Sequence, residues 1–136
     1  MPQRISPVYV RGVKPFSPTT KALERALEAS GTRVASDATR AASVLHLLSD
    51  DSGRRVVSVD GRGKALEYEL VESVQFELLD AGGKQLVGPQ RVTSQRVLLD
   101  PEIETLGKQR EEGDTRRAMR QDLAVAVLER LRAQLH

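Results

Sequence analysis

At 136 residues, with 39% hydrophobic and 29% charged positions, the chain is long and apolar enough to bury a core, which excludes a disordered segment and points to one domain spanning 1–136. Aromatic residues make up only 3% and the net charge is +2, so stacking platforms for single-stranded nucleic acid are excluded and no nucleic-acid partner is expected. The absence of cysteine excludes disulfides, thiolate nucleophiles and cysteine-bound zinc, and no apolar run approaches the roughly 18 residues of a membrane-spanning helix.

The N-terminal Met1-Pro2-Gln3-Arg4 runs into a strand pattern without the apolar segment of a signal peptide, which suggests either a cytosolic protein or an export segment outside this sequence. Pro7 to Val13 predicts a short strand, closed by Lys14-Pro15. Ser17 is an N-cap and Pro18 a first helical residue without a donor to orphan. Ala22, Leu23, Ala26 and Leu27 then recur at helical spacing, and Gly31 can take the left-handed conformation past the end, so a helix is predicted over Pro18 to Ser30.

Ser43 to Ser49 is a continuous apolar run, as in a strand covered on both faces, and its place after a strand and a helix predicts parallel pairing with the first strand. Asp50-Asp51-Ser52-Gly53 interrupts it, and Arg54 to Asp60 reads either as the same strand beyond a bulge or as a second short strand. After the turn at Gly61-Arg62-Gly63, Lys64 to Leu79 alternates. Leu66, Tyr68, Leu70, Val74, Phe76 and Leu78 lie on one face, with Glu67, Glu69, Ser73, Gln75 and Glu77 on the other.

Asp80-Ala81-Gly82-Gly83 is hairpin chemistry, and Lys84 to Leu99 returns as the antiparallel partner, with Pro89 requiring an edge or a bulge. Such an arm exceeds a usual strand, so its far end is expected to overhang the helices. Asp100-Pro101 repeats the cap-proline helix start, while Gly107 and Gly113 suggest a break before the main C-terminal helix. In that helix Met119, Leu123, Val127, Leu131 and Leu135 form the apolar stripe, with Arg116, Arg120, Glu129 and Arg132 predicted outside. The expected fold is α+β, in the order β-α-β-β-β-α: a two-layer sandwich with two helices on one face of a four-stranded mixed sheet.

Catalytic chemistry finds few residues to work with. His46 sits in an apolar strand and His136 is terminal, so neither has a partner at metal-ligand spacing. Glu67 and Glu69 read as a solvated strand face. Gly61-Arg62-Gly63 is not a phosphate loop, because no helix start follows it. Ser58 and Ser94 are possible nucleophiles without a base, so no enzyme, metal site or cofactor is expected. The cations Arg54-Arg55, Arg62, Lys64, Arg91 and Arg96 near strand ends either form an anion-binding patch or guard exposed edges.

The run Ser58-Val59-Asp60-Gly61-Arg62-Gly63-Lys64-Ala65-Leu66-Glu67-Tyr68-Glu69-Leu70 resembles the S-V…G-x-x-x-E-Y-x-L hairpin of the LptE family. The likeness continues through Asp100-Pro101, Leu106-Gly107-Lys108, Glu111-Glu112, Met119 to Leu123 and Leu128 to Leu131, and the first helix falls where the family places its own. The resemblance covers nearly the whole chain.

It implies the two-helix, four-strand fold and a non-enzymatic protein that binds lipopolysaccharide, plugs and partners the LptD outer-membrane β-barrel, and assists lipopolysaccharide delivery. It also implies a precursor with a signal peptide and a lipidated N-terminal cysteine, neither present in this sequence, anchoring the protein on the periplasmic side of the outer membrane. For lipopolysaccharide phosphates the resemblance implies Lys108 directly and Arg62 approximately, with Arg91 and Arg96 as weaker candidates. The alternative reading is an auxiliary lipoprotein of a lipid-transport ABC system.

Overall fold

In the computed structural model, residues 1–14, 16–99 and 106–135 are described, except for the side chains of Leu106, Lys108 and Gln109. The element order is β1 (Val8–Arg11), α1 (Pro18–Ala29), β2 (Ser43–Val59), β3 (Ala65–Asp80), β4 (Gln85–Leu99) and α2 (Leu106–Gln134), with short 3-10 turns at Gln3–Ile5 and Ala38–Arg40. This is the α+β order expected from the sequence. The strands lie in the spatial order β1-β2-β3-β4, with β1 parallel to β2 and the other two pairs antiparallel.

Local chemistry accounts for the boundaries. Ser17 Oγ accepts the Thr20 amide at 3.1 Å and starts α1 before Pro18. Each hairpin turn uses the same device. The carboxylate of Asp60 accepts the amides of Arg62 and Lys64 at 2.7 and 3.0 Å, while Gly63 takes φ +80°. Asp80 does the same for Gly82 and Lys84 at 2.9 and 2.8 Å, with Gly83 at φ +88°. A left-handed residue at this position favours glycine, so Asp-x-x-Gly-Lys is written twice where the chain must reverse.

β2 is one strand across Asp50-Asp51-Ser52-Gly53, because β3 pairs with it continuously and register shifts between Leu47 and Ser49 and between Val56 and Ser58 absorb the irregularity. Pro89 lies on β4, which is both an edge strand and irregular between Val87 and Gln90, so the missing donor costs no ladder bond. α2 shows no break at Gly107 or Gly113. It is continuous from Leu106 to Gln134, since packing of its inner stripe outweighs a glycine cost of about 1 kcal/mol each. The predicted helix start at Asp100-Pro101 lies outside the described residues, as does His136.

Both helices cover one face of the sheet. The core joins Leu23 and Leu27 of α1, Leu123, Val127 and Leu131 of α2, and Leu45, Leu47, Val74, Phe76 and Leu78 of the strands. Among the described residues no helix is long and apolar enough to cross a membrane.

Candidate functional site

The alternation of β3 places Glu72 on the same face as Leu70 and Val74, beneath α2, where it is 2% exposed. A carboxylate in that position needs compensating donors. Arg116 Nη1 donates to its Oε2 at 3.0 Å and Arg120 Nε to its Oε1 at 2.8 Å, and Arg116 Nη2 also reaches the Gly53 carbonyl at 3.2 Å. Arg116 and Arg120 therefore turn inward, correcting the expectation that they lie on the outer helix face. They continue the apolar stripe of α2 at three- and four-residue spacing, and the interior carboxylate draws them in.

These bonds fix where α2 starts relative to the hairpin. Arg54 lies 3.6 Å from Glu112 and stacks over the Tyr68 ring at 4.5 Å from its centroid. From Glu112 back to Leu106, α2 extends about 9 Å at 1.5 Å per residue, whereas β2 runs about 17 Å from Arg54 to Val59 at 3.3 Å per residue. The paired strands thus outrun the helix by about 8 Å, and the turn at Asp60 to Lys64 lies farther out. Among the described residues the far end of the hairpin thus continues past the level of Leu106, and residues 100–105, which join β4 to α2 at this end, lie outside the described residues.

The four site residues are distributed as follows. Lys108 occupies the first turn of α2, and its side chain lies outside the described residues. Arg62 is exposed at the β2–β3 turn, at the end of the sheet where β4 finishes with Leu99 opposite Glu67. Lys108 and Arg62 therefore belong to the same end of the molecule. Arg91 pairs in register with Gln75 and reaches Ser73 Oγ at 3.4 Å, on the face away from the helices. Arg96 is on the helix side, bonded to Asp122 of α2. Because the side-chain parity of β4 separates them, Arg91 and Arg96 do not converge.

The outer sheet face carries paired charges. Glu69 accepts from Arg55 at 2.8 Å, Glu67 from Ser58 at 2.9 Å, and Glu77 lies 3.7 Å from His46. Ser58 is thus bonded to a carboxylate, and Ser94 Oγ is buried without a hydrogen-bond partner. Among the described residues no group of three or more histidines, aspartates or glutamates is placed to hold a metal ion. Sequence reasoning missed the Glu72, Arg116 and Arg120 cluster. The available signal was Glu72 itself, at the even-numbered positions of β3 that Leu70 and Val74 also occupy.

The profile of the LptE family, described as lipopolysaccharide-assembly, matches residues 5–131. The chain belongs to the LptE family. It is 29% identical over 132 residues to the LPS-assembly lipoprotein LptE of Pectobacterium atrosepticum, covering 96% of this chain and 71% of that protein. It is 26% identical to the protein of that name from Yersinia enterocolitica, covering 96% of this chain and 63% of the relative. The fold is shared with rare lipoprotein B of Shewanella oneidensis, at TM-score 0.76, 23% identity and 93% coverage of both chains. It is also shared with a lipoprotein B from Nitrosomonas europaea, at TM-score 0.78, 24% identity, and coverage of 91% of this chain and 80% of that one. LptE membership sets aside the reading as an auxiliary lipoprotein of an ABC system and assigns the chain to a family of lipopolysaccharide-assembly lipoproteins.

Proposed function

We propose that this LptE-family chain binds lipopolysaccharide, partners and plugs the LptD β-barrel, and assists lipopolysaccharide delivery as a non-enzymatic component. The native protein is held by a lipid anchor on the periplasmic side of the outer membrane. The observation that carries the reading is the family match along residues 5–131, nearly the whole described fold. Lys108 and Arg62 are the proposed phosphate contacts, and their location at one end of the molecule supports a shared ligand. A lysine meets phosphate as a point charge, and arginine offers a fork of donors. Arg91 and Arg96 are secondary contacts on opposite faces; Arg96 must release Asp122 to take part.

Two measurements test the reading. Affinity purification from outer membranes should recover a large β-barrel in stoichiometric amount; recovery of the folded chain alone rejects the partnership. Lys108→Glu with Arg62→Glu should weaken lipopolysaccharide binding at least about tenfold, and added salt should weaken the parent, because charges are screened over about 8–10 Å at physiological ionic strength. Unchanged affinity in a folded double variant rejects these two residues as the site.

A further inference from the structure

The two edges of the sheet differ. β1 has four residues, and its outer side is already taken: the Val8 amide donates to the Arg33 carbonyl and the Ala35 amide to the Val8 carbonyl, each at 2.8 Å. β4 is the other edge. Its start is interrupted by Gly88, Pro89 and register shifts against β3, devices that keep an edge from pairing. Residues 91–96 have none of these. They pair with residues 70–75 of β3 in unbroken register and contain no proline, glycine or lysine. Among the described residues their backbone makes no hydrogen bond outside that pairing except at the Gln95 carbonyl, which accepts from Arg96 Nη1 at 2.8 Å.

Alternate residues of such an edge point amide and carbonyl outward, and that row is complementary to the main chain of another extended segment. Residues 91–96 span the length of an ordinary strand. The side chains then say which segment fits. β4 carries Arg91 and Arg96 and no carboxylate from Gln85 to Leu99. Arg96 is committed to Asp122, whereas Arg91 is exposed on the outer face and reaches only Ser73 Oγ, at 3.4 Å, among the described residues. A second copy of β4 would add two more arginines and nothing to balance them. The charges therefore oppose self-pairing and admit an acidic strand.

We propose that residues 91–96 are a strand-addition site for an extended, acidic segment of the partner polypeptide, with a carboxylate set opposite Arg91. This rests on the LptD reading above and gives that partnership a main-chain contact. A closed barrel has no free strand edge, so the segment comes from outside the barrel wall.

The test measures amide hydrogen exchange in the chain alone and in its purified complex with the LptD barrel. Lipopolysaccharide is removed first, since Arg91 is also a secondary contact for it. In the free chain, residues 91–96 should alternate, with amides bonded to β3 slow and those facing outward fast. In the complex the outward set should slow at least about tenfold. Arg91→Glu should weaken the complex about tenfold and Arg91→Lys should keep it, both variants being folded by circular dichroism. A formed complex whose outward amides keep the rate of the free chain overturns the strand addition and leaves the partnership standing. Slowing of the same size at exposed amides throughout the chain also overturns it, because that is enclosure without pairing. An Arg91→Glu complex as tight as the parent overturns the acidic segment, and a dimer of the free chain that protects the outward set overturns the choice of partner. No complex with the barrel overturns both readings.

Discussion

Replacing Glu72 by glutamine keeps the side-chain volume and removes the charge from a carboxylate that is 2% exposed. The change sets an NH2 group against one of the two guanidinium groups that now donate to it, at 3.0 Å from Arg116 and 2.8 Å from Arg120. Breaking a fully buried ion pair from one side costs about 3–5 kcal/mol. The arginine side chains here are 18% and 23% exposed, so water recovers part of that loss and about 2–4 kcal/mol is expected.

At roughly 3–4 °C per kcal/mol for a chain of this length, the melting temperature should fall by about 10 °C. Urea unfolding gives the free energy directly. Glu69→Gln is the control: its partner Arg55 is 68% exposed, so its loss should cost about 0–1 kcal/mol. Glu72→Met with Arg116→Met and Arg120→Leu removes every charge of the cluster together and should recover most of the stability lost by Glu72→Gln. Glu72→Gln within about 0.5 kcal/mol of the parent, well below the range for a buried pair, would refute the reasoning. So would a triple variant no more stable than the single one.

Gly113 is exposed in the interior of α2 with nothing near an added Cβ, so Gly113→Ala should stabilise by about 0.5–1 kcal/mol in urea. Gly63→Ala, at φ +80°, should destabilise by about 1 kcal/mol in the same assay although its surroundings are equally open. Phe76 is 0% exposed, and Phe76→Ala should cost about 3–5 kcal/mol by urea unfolding, the loss of an aromatic core residue plus its cavity. Hydrogen exchange should be faster at amides of residues 56–59 and 65–68, which outrun the helix, than in α2 around Met119 to Leu131, where the stripe is buried. Equal protection would contradict a weakly held overhang.

Much of the chain was determined by short-range chemistry and is legible without a structure. Ser17-Pro18 starts α1 because a side-chain acceptor and a missing donor satisfy a helix end locally. Asp60 and Asp80 with their following glycines set both hairpin turns, and the alternation from Leu66 to Leu78 sets the face of β3. Nothing in these decisions depends on distant residues.

Only the tertiary structure decided the rest. Whether Arg54 to Val59 continues β2 depended on an unbroken partner strand, β3, that the local interruption could not reveal. Gly107 and Gly113 stay helical because the α2 stripe is packed, a term larger than their propensity. Arg116 and Arg120 look like outer-face residues until α2 is laid over Glu72, and the gain that turns them inward exists only when the carboxylate is already buried there. Arg91 and Arg96, five residues apart on β4, fall on opposite faces, so a patch plausible as a list of cations is divided by the sheet. Charge type was present in the sequence, but its neighbours were supplied across 26 to 48 residues of chain between sheet and helix, because long-range packing sets what each charge meets.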